Sequence, residues 1–458
     1  MTPEIAETIL DASLALLEDP GIRFEHDVIC DTLLKAGARP GHTSQVLRLP
    51  RRMVLELVAQ APSTIHLANR SDGGYSLTPD SPSRAWSVPG LYYWHRGQQR
   101  PYTSDDMARC ARLLDQLDEV DGVFGLALSD VPSAAQDVVG LRIMAANTRK
   151  HIRVLSFTPA GADVLMAMHP VVGQNAWFSM GFTAHGPLRW THQALDIFAR
   201  TAGHGIPVTL NGEPTAGVSG PVTVAGSSAV GNAEILAGIV VNQLLEPGRP
   251  CIHTLGLSHV LDMRTADAVT GGPENGAFAL VGAALGRRLG LPSCGWASTD
   301  SLSLDTQAAL EKALAFRTQL SGGVSLVWGV GQLESEMTFS PAMAVVDNEI
   351  LAHCRRLDCG VATDDNALAL ETIREVGIAG SFLESDHTML NFREAIWEPQ
   401  LLYRNRRLNW EAEGSHTLEE RAHETAEQLM AAERPPALSD DQLSELQRLE
   451  EKYLKALA

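Results

Sequence analysis

Residues Pro207 to Gly256 constrain the fold more than any other stretch, because they spell out one complete strand–loop–helix–strand unit. Ile206 to Leu210 is a short apolar run closed by Asn211-Gly212, which suits a strand buried on both faces. A polar, Gly-rich segment reaches Gly220, and Ser227 or Ser228 is placed to cap a helix running to about Leu245. Val230, Ala233, Ala237, Val240, Val241 and Leu244 recur at helical spacing along it. Pro247-Gly248 stops the helix, and Cys251 to Leu255 is the next strand. A parallel pair needs such a crossover, and in parallel α/β folds the chemistry sits at the carboxyl ends of the strands.

The same alternation repeats along the chain. Strands are expected at Val123–Leu128, Ile152–Phe157, Ala176–Met180, Ile206–Leu210, Cys251–Leu255, Ser293–Trp296, Val324–Trp328 and Ser381–Leu383. Helices are expected between them at 133–147, 160–168, 190–203, 227–245, 273–288, 305–320 and 341–356. Eight strands alternating with helices over ~280 residues predict an α/β fold, a (β/α)8 TIM barrel, with an open doubly wound sheet as the alternative. Residues 1–103, with helices at 3–18, 25–36 and 51–61 and short strands after them, form an N-terminal cap. Residues 104–390 form the barrel, opening on a helix capped by Ser104. Residues 391–458 form a helical tail. No GxGxxG follows the first strand and no GxxxxGK[ST] occurs, so dinucleotide and P-loop readings lack support.

Composition narrows the function. With 458 residues, 45% hydrophobic and 20% charged, the chain has ample length for a large core. A net charge of −19 argues against a nucleic-acid partner, which needs clustered Lys and Arg. The six cysteines form no CxxC pair, as expected of reduced thiols in the cytosol. No apolar run is expected to reach the ~18 residues of a membrane span, and the N-terminus lacks a basic, apolar signal pattern. The expectation is a soluble cytoplasmic protein without a membrane partner; whether it forms a homo-oligomer is left open.

Candidate chemistry collects in the loops after the strands. These carry Asn211 and Glu213; Thr254, His259, Asp262 and Arg264; Thr299, Asp300 and Ser301; Gln332, Glu334 and Glu336; and His387. A barrel would converge them on one mouth, although each alone is as well read as a cap or a solvated turn. Aromatics are only 5% of the chain, so Tyr92-Tyr93-Trp94 is a local excess, and Trp177, Trp296 and Trp328 lie in or at the ends of strands. Several such rings can cage a quaternary ammonium, or they can fill core. His253 with His259, and His185 with His192, match no compact metal motif, so no bound metal is expected. No GxSxG occurs, and Cys294 reads as a buried small hydrophobe.

A resemblance sharpens this. GPVTVAG…NAEILAGIVVNQLLEPGRP, DMRT, GGPENG, STDSLSLDTQAALEKAL, GQLESEMTFSPAMAVVDNEI and FLESDHTMLNFREAIWEPQLLYRNRRLNW, in collinear order, resemble the trimethylamine methyltransferase family. The resemblance implies a (β/α)8 barrel that moves a methyl group from a methylated amine to the cobalt of a corrinoid carried by a separate partner protein. Founding members carry pyrrolysine in the barrel. This chain has ordinary residues throughout, Gly331 to Met337 included, and so resembles the pyrrolysine-free glycine betaine and quaternary-amine enzymes. On that resemblance Glu213, Gln332 and Glu334 are the candidate catalytic residues. Tyr92, Tyr93, Trp296 and Trp328 are candidates for the cation cage, and Asn211, Gln332 or His387 for holding a substrate carboxylate. A non-catalytic quaternary-amine-binding barrel, or another small-molecule barrel enzyme such as a lyase, are the alternatives.

Overall fold

The computed structural model describes residues 1–125 and 127–457. Its centre is a closed barrel of eight parallel strands: β1 (Arg84–Ser87), β2 (Gly122–Phe124), β3 (His151–Arg153), β4 (Phe178–Thr183), β5 (Val208–Asn211), β6 (Cys251–Gly256), β7 (Ser293–Trp296) and β8 (Leu326–Val330). A helix follows each strand: α1 (Ser104–Gln116), α2 (Gln136–Asn147), α3 (Pro159–Val172), α4 (His192–Arg200), α5 (Val224–Leu245), α6 (Pro273–Leu289), α7 (Thr306–Ser321) and α8 (Pro341–Asp358). Every barrel residue of β5 through β8 is buried, as strands covered on both faces require.

Closure corrects one expectation. The eighth strand is not Ser381–Leu383; Phe382 and Leu383 are exposed and lie outside any strand. The ring is closed instead by Arg84–Ser87, which pairs with β8 (Trp328↔Trp86) and with β2 (Trp86↔Gly122). Pro82 and Pro89 flank this four-residue strand, and that punctuation hid it in the sequence. The segment expected as an N-terminal cap, 1–103, therefore supplies the barrel's first strand. Strand Val123–Leu128 is observed only as Gly122–Phe124, and Leu126 lies outside the described residues.

Helix α5 starts earlier than expected. Thr223 caps it by accepting from Gly226 N (3.3 Å), while Ser227 bonds the Pro221 carbonyl (2.6 Å) inside the first turn. The helix is long and apolar enough to cross a membrane by length and composition, with 83% of its apolar window buried, so the expectation that no stretch would qualify is corrected. Its apolar girth has a local cause: β5 and β6 cover one side, and helices Pro3–Glu18 and Arg51–Val58 cover the other.

At the other end the tail returns to the barrel. Helix Leu418–Ala431 packs on α8 and α1, and Asp440–Leu457 packs on α2 and α3. Between α8 and these helices, every residue from Cys359 to Gln400 is exposed or half-buried.

Candidate active site

Strand alternation and register decide which side chains fill the barrel. Trp296, Trp328 and Trp86 stand at one level on adjacent strands β7, β8 and β1. Trp86 stacks on Trp328 (centroids 6.4 Å, 13°), and Phe124 meets Trp328 edge-on (5.0 Å). These four rings, with Cys294 and Leu326, form an apolar cluster separate from the main core.

Above the rings, on the mouth side, lies an acidic group. Glu213 follows β5 and accepts from Thr183 Oγ1 (3.3 Å), which in turn accepts from Asn211 Nδ2 (3.0 Å). Burial raises the Glu213 carboxyl to about 7, partly offset by the Thr183 hydrogen bond and by the charge of Arg153. Burial, and then the field of Glu213, raise Glu336 to about 8. Both side chains keep partial exposure. Carboxyls raised toward neutrality in this way either hold a proton or hold a cation.

The loop that carries Glu336 is strained. Glu334, Ser335 and Glu336 all have positive φ (55°, 48° and 83°), and each such residue costs of order 1–3 kcal/mol. The surroundings impose this geometry. Glu334 N donates to Ser301 O (2.8 Å) and Ser335 N to Thr299 O (2.9 Å). Ser335 Oγ donates to Asp300 Oδ1 (2.5 Å), whose carboxylate also binds Thr270 N (2.8 Å) and Gly271 N (3.0 Å). Below the loop, Lys312 and Asp347 form a fully buried ion pair (3.2 Å). Lys312 donates to the Ala297 (2.9 Å) and Gly329 carbonyls, and Gly331 N donates to Asp347 (2.8 Å).

Several predicted residues come together here. Asn211, Glu213, Trp296, Trp328 and Gln332 are all barrel or mouth residues, and Trp296 Nε1 donates to Gln332 Oε1 (3.1 Å). Others are placed elsewhere. Glu334 accepts from Thr338 (2.6 Å) and Gln99, and it is the Glu336 carboxyl, two residues on, that burial and then the field of Glu213 raise. Left-handed backbone at three successive residues produces that exchange. Tyr92 and Tyr93 lie on an outer sheet, strand Tyr92–His95, paired with Thr338–Phe339. Tyr92 borders the mouth loop through its amide on Met337 O (3.0 Å). Tyr93 faces the main core with the Arg100 guanidinium over its ring (4.4 Å). His387 sits on the exposed helix Asp386–Ala395, bonded to Asn366 O (2.8 Å), because the strand expected to deliver it to the mouth does not exist.

Sequence reasoning missed Arg153. It is 2% exposed on β3, where a charge interrupts the run His151-Ile-Arg-Val-Leu. That interruption is the available signal, since a charge is almost never fully buried unless it is paired. Among the described residues no group of three His, Cys, Asp or Glu is arranged to hold a metal ion.

Comparison with known proteins agrees with this architecture. The family model described as Trimethylamine methyltransferase (MTTB) matches residues 1–454. The chain belongs to the trimethylamine methyltransferase family. As a member of that family it is a methyltransferase. It is 28% identical to the trimethylamine methyltransferase of Desulfitobacterium hafniense, over 94% of this chain and 88% of the relative. It is likewise 28% identical to that of Methanosarcina barkeri, over 99% and 95%. It is 26% identical to a glycine betaine methyltransferase of Desulfitobacterium hafniense, over 98% and 95%. In fold it resembles the Methanosarcina barkeri monomethylamine methyltransferase, with a TM-score of 0.53, 12% identity, and coverage of 93% of this chain and 87% of that one.

Proposed function

We propose that this methyltransferase moves a methyl group from a glycine betaine-like quaternary amine to the Co(I) corrinoid of a separate partner protein. What supports the reading is the barrel itself: Glu213 follows β5 and Glu336 follows β8, Trp296 and Trp328 stand level on β7 and β8, and burial with the field of Glu213 raises the Glu336 carboxyl. A quaternary ammonium leaving water at the mouth loses its hydration; ring faces and the carboxylate pair partly replace it. The cation favours the ionised carboxylates, so its affinity rises with pH through about 7 and about 8, the values to which burial lifts the pair.

The chemistry suits a site of soft charge. The corrinoid supplies the electron pair that the methyl carbon accepts, and the C–N pair stays on nitrogen. The departing tertiary amine is neutral, so the carboxylates lose their cation as the bond breaks and are reprotonated by water. A permanent strong ion pair would hold the ground state at the expense of the transition state. A quaternary amine needs positioning and desolvation, and no covalent activation by the protein. We place the reaction in the cytoplasm, where the six unpaired cysteines fit a reducing compartment.

The test is a panel of methylated amines incubated with cob(I)alamin, following methylcobalamin by absorbance. Methylcobalamin formed with glycine betaine is the expected result. Tight amine binding with no methylcobalamin from any quaternary amine would contradict methyl transfer and favour a binding barrel.

A further inference from the structure

Arg153 is the strongest feature of the barrel that the proposed chemistry leaves unused. Its guanidinium is buried at the barrel centre, with Phe124 (4.8 Å) and Trp328 (5.6 Å) over it. Nη1 donates to the Val154 carbonyl and Nη2 to Thr209 Oγ1 (3.2 Å), while Nε has no partner. No ion pair joins it to an acid among the described residues; Glu213 acts on it only at longer range. A buried cation held by two neutral acceptors is costly, and proteins seldom keep one without a counter-charge.

Space has been cleared for it. A Cβ at Gly181 would fall 1.7 Å from Arg153 Nη2 and 2.3 Å from Thr209 Oγ1, so glycine alone admits the guanidinium there. The polarity of the interior is ordered. Thr183, Asn211 and Glu213 lie at the mouth; Gly181 and Thr209 lie one pleat deeper on the same strands, about 6–7 Å along a strand. The mouth end offers acceptors, namely Glu213, Glu336 and the unbonded Asn211 Oδ1. The deeper end offers Arg153 and the unbonded Trp328 Nε1, and Gln332 Nε2 is a further unbonded donor.

We propose that Arg153 receives a carboxylate of the substrate, so that the barrel takes a zwitterion with its quaternary ammonium at Glu213 and Glu336 and its carboxylate at the guanidinium. This rests on the quaternary-amine reading above and adds a requirement to it. An amine lacking the carboxylate leaves Arg153 unpaired and binds weakly.

Titration calorimetry at pH 8 with glycine betaine and choline tests it, because both carry a trimethylammonium head and choline has a hydroxyl where betaine has the carboxylate. Wild type is expected to bind glycine betaine at least about tenfold more tightly, the scale of a charge-assisted bidentate contact. Arg153→Gln abolishes that preference by weakening betaine alone, and its melting temperature is unchanged or higher. Gly181→Ala, which displaces the guanidinium without removing it, reduces the preference in the same direction. Equal affinity of wild type for the two ligands overturns the carboxylate assignment and leaves the quaternary-amine reading standing. Equal weakening of both ligands by Arg153→Gln with a lowered melting temperature assigns Arg153 a structural role and also overturns it. Binding of neither ligand to wild type overturns both readings.

Discussion

Two stretches look alike in sequence and differ wholly in the structure. Gly331–Phe339 and Ser381–Ala395 each mix apolar residues with Glu, Ser and Thr, and each carries a residue expected at the mouth. The first is pinned by Asp300, Thr299, Ser301 and the buried Lys312–Asp347 pair. The second leaves Leu383 and Leu390 79% and 80% exposed, so its apolar content positions nothing in this chain. What separates them is the network that holds backbone groups. A carboxylate reaches a defined place only when its loop has its own hydrogen bonds satisfied elsewhere.

The largest break in that comparison should come from Lys312→Met. It leaves Asp347 buried without its cation, and breaking such a pair costs about 3–5 kcal/mol. Urea denaturation checks the loss, and the double variant Lys312→Met/Asp347→Leu should recover most of it. A loss under about 1 kcal/mol for the single change would mean that the pair does not hold the mouth loop.

Trp328→Ala follows, at about 3–5 kcal/mol for a buried ring, together with weaker substrate binding. Glu334→Gln, whose carboxylate is taken up by Thr338 and Gln99, should lower affinity less. Melting temperature and affinity measured on both variants separate recognition from packing. Unchanged affinity in surviving folded Trp328→Ala would make that ring core alone.

The carboxylate pair gives a smaller, pH-dependent effect. Both folded carboxyls titrate above the ordinary value of 4.5, at about 7 and about 8. The stability tied to their protonated forms is present below about pH 4.5 and is lost as pH rises through those values. Glu213→Gln and Glu336→Gln should therefore raise the melting temperature at pH 8 and flatten its fall between pH 5 and 8. A steeper fall in either variant would contradict the assigned direction. Smallest of all, Leu383→Ser with Leu390→Ser should change stability by less than about 0.5 kcal/mol, as exposed positions do.

The barrel is legible because most of its strands are largely apolar runs with turn residues on either side, the mark that burial on both faces leaves in a sequence. Arg84–Ser87 was not legible. Four residues between prolines carry no periodicity, and its role is fixed by pairing with Trp328 far along the chain. The site was legible by loop and not by side chain. Asn211, Glu213, Trp296, Trp328 and Gln332 followed from strand ends. The exchange of Glu334 for Glu336 depends on positive φ at three non-glycine residues, which local sequence does not announce. Arg153 escapes an apolar strand pattern because it is the one charge inside the run His151-Ile-Arg-Val-Leu. His387 was placed by a strand that the barrel did not need.

If the amine binds at Glu213 and Glu336 as proposed, calorimetric affinity for glycine betaine in two variants shows it. At pH 8, Glu336→Gln should lose most of the affinity, and the part of the wild-type rise between pH 6.5 and 8.5 that belongs to a group titrating at about 8 should be missing, leaving the smaller rise due to Glu213. Leu390→Ser, on the exposed segment, should bind as wild type does. Equal affinities and equal pH profiles in wild type and Glu336→Gln would contradict the account.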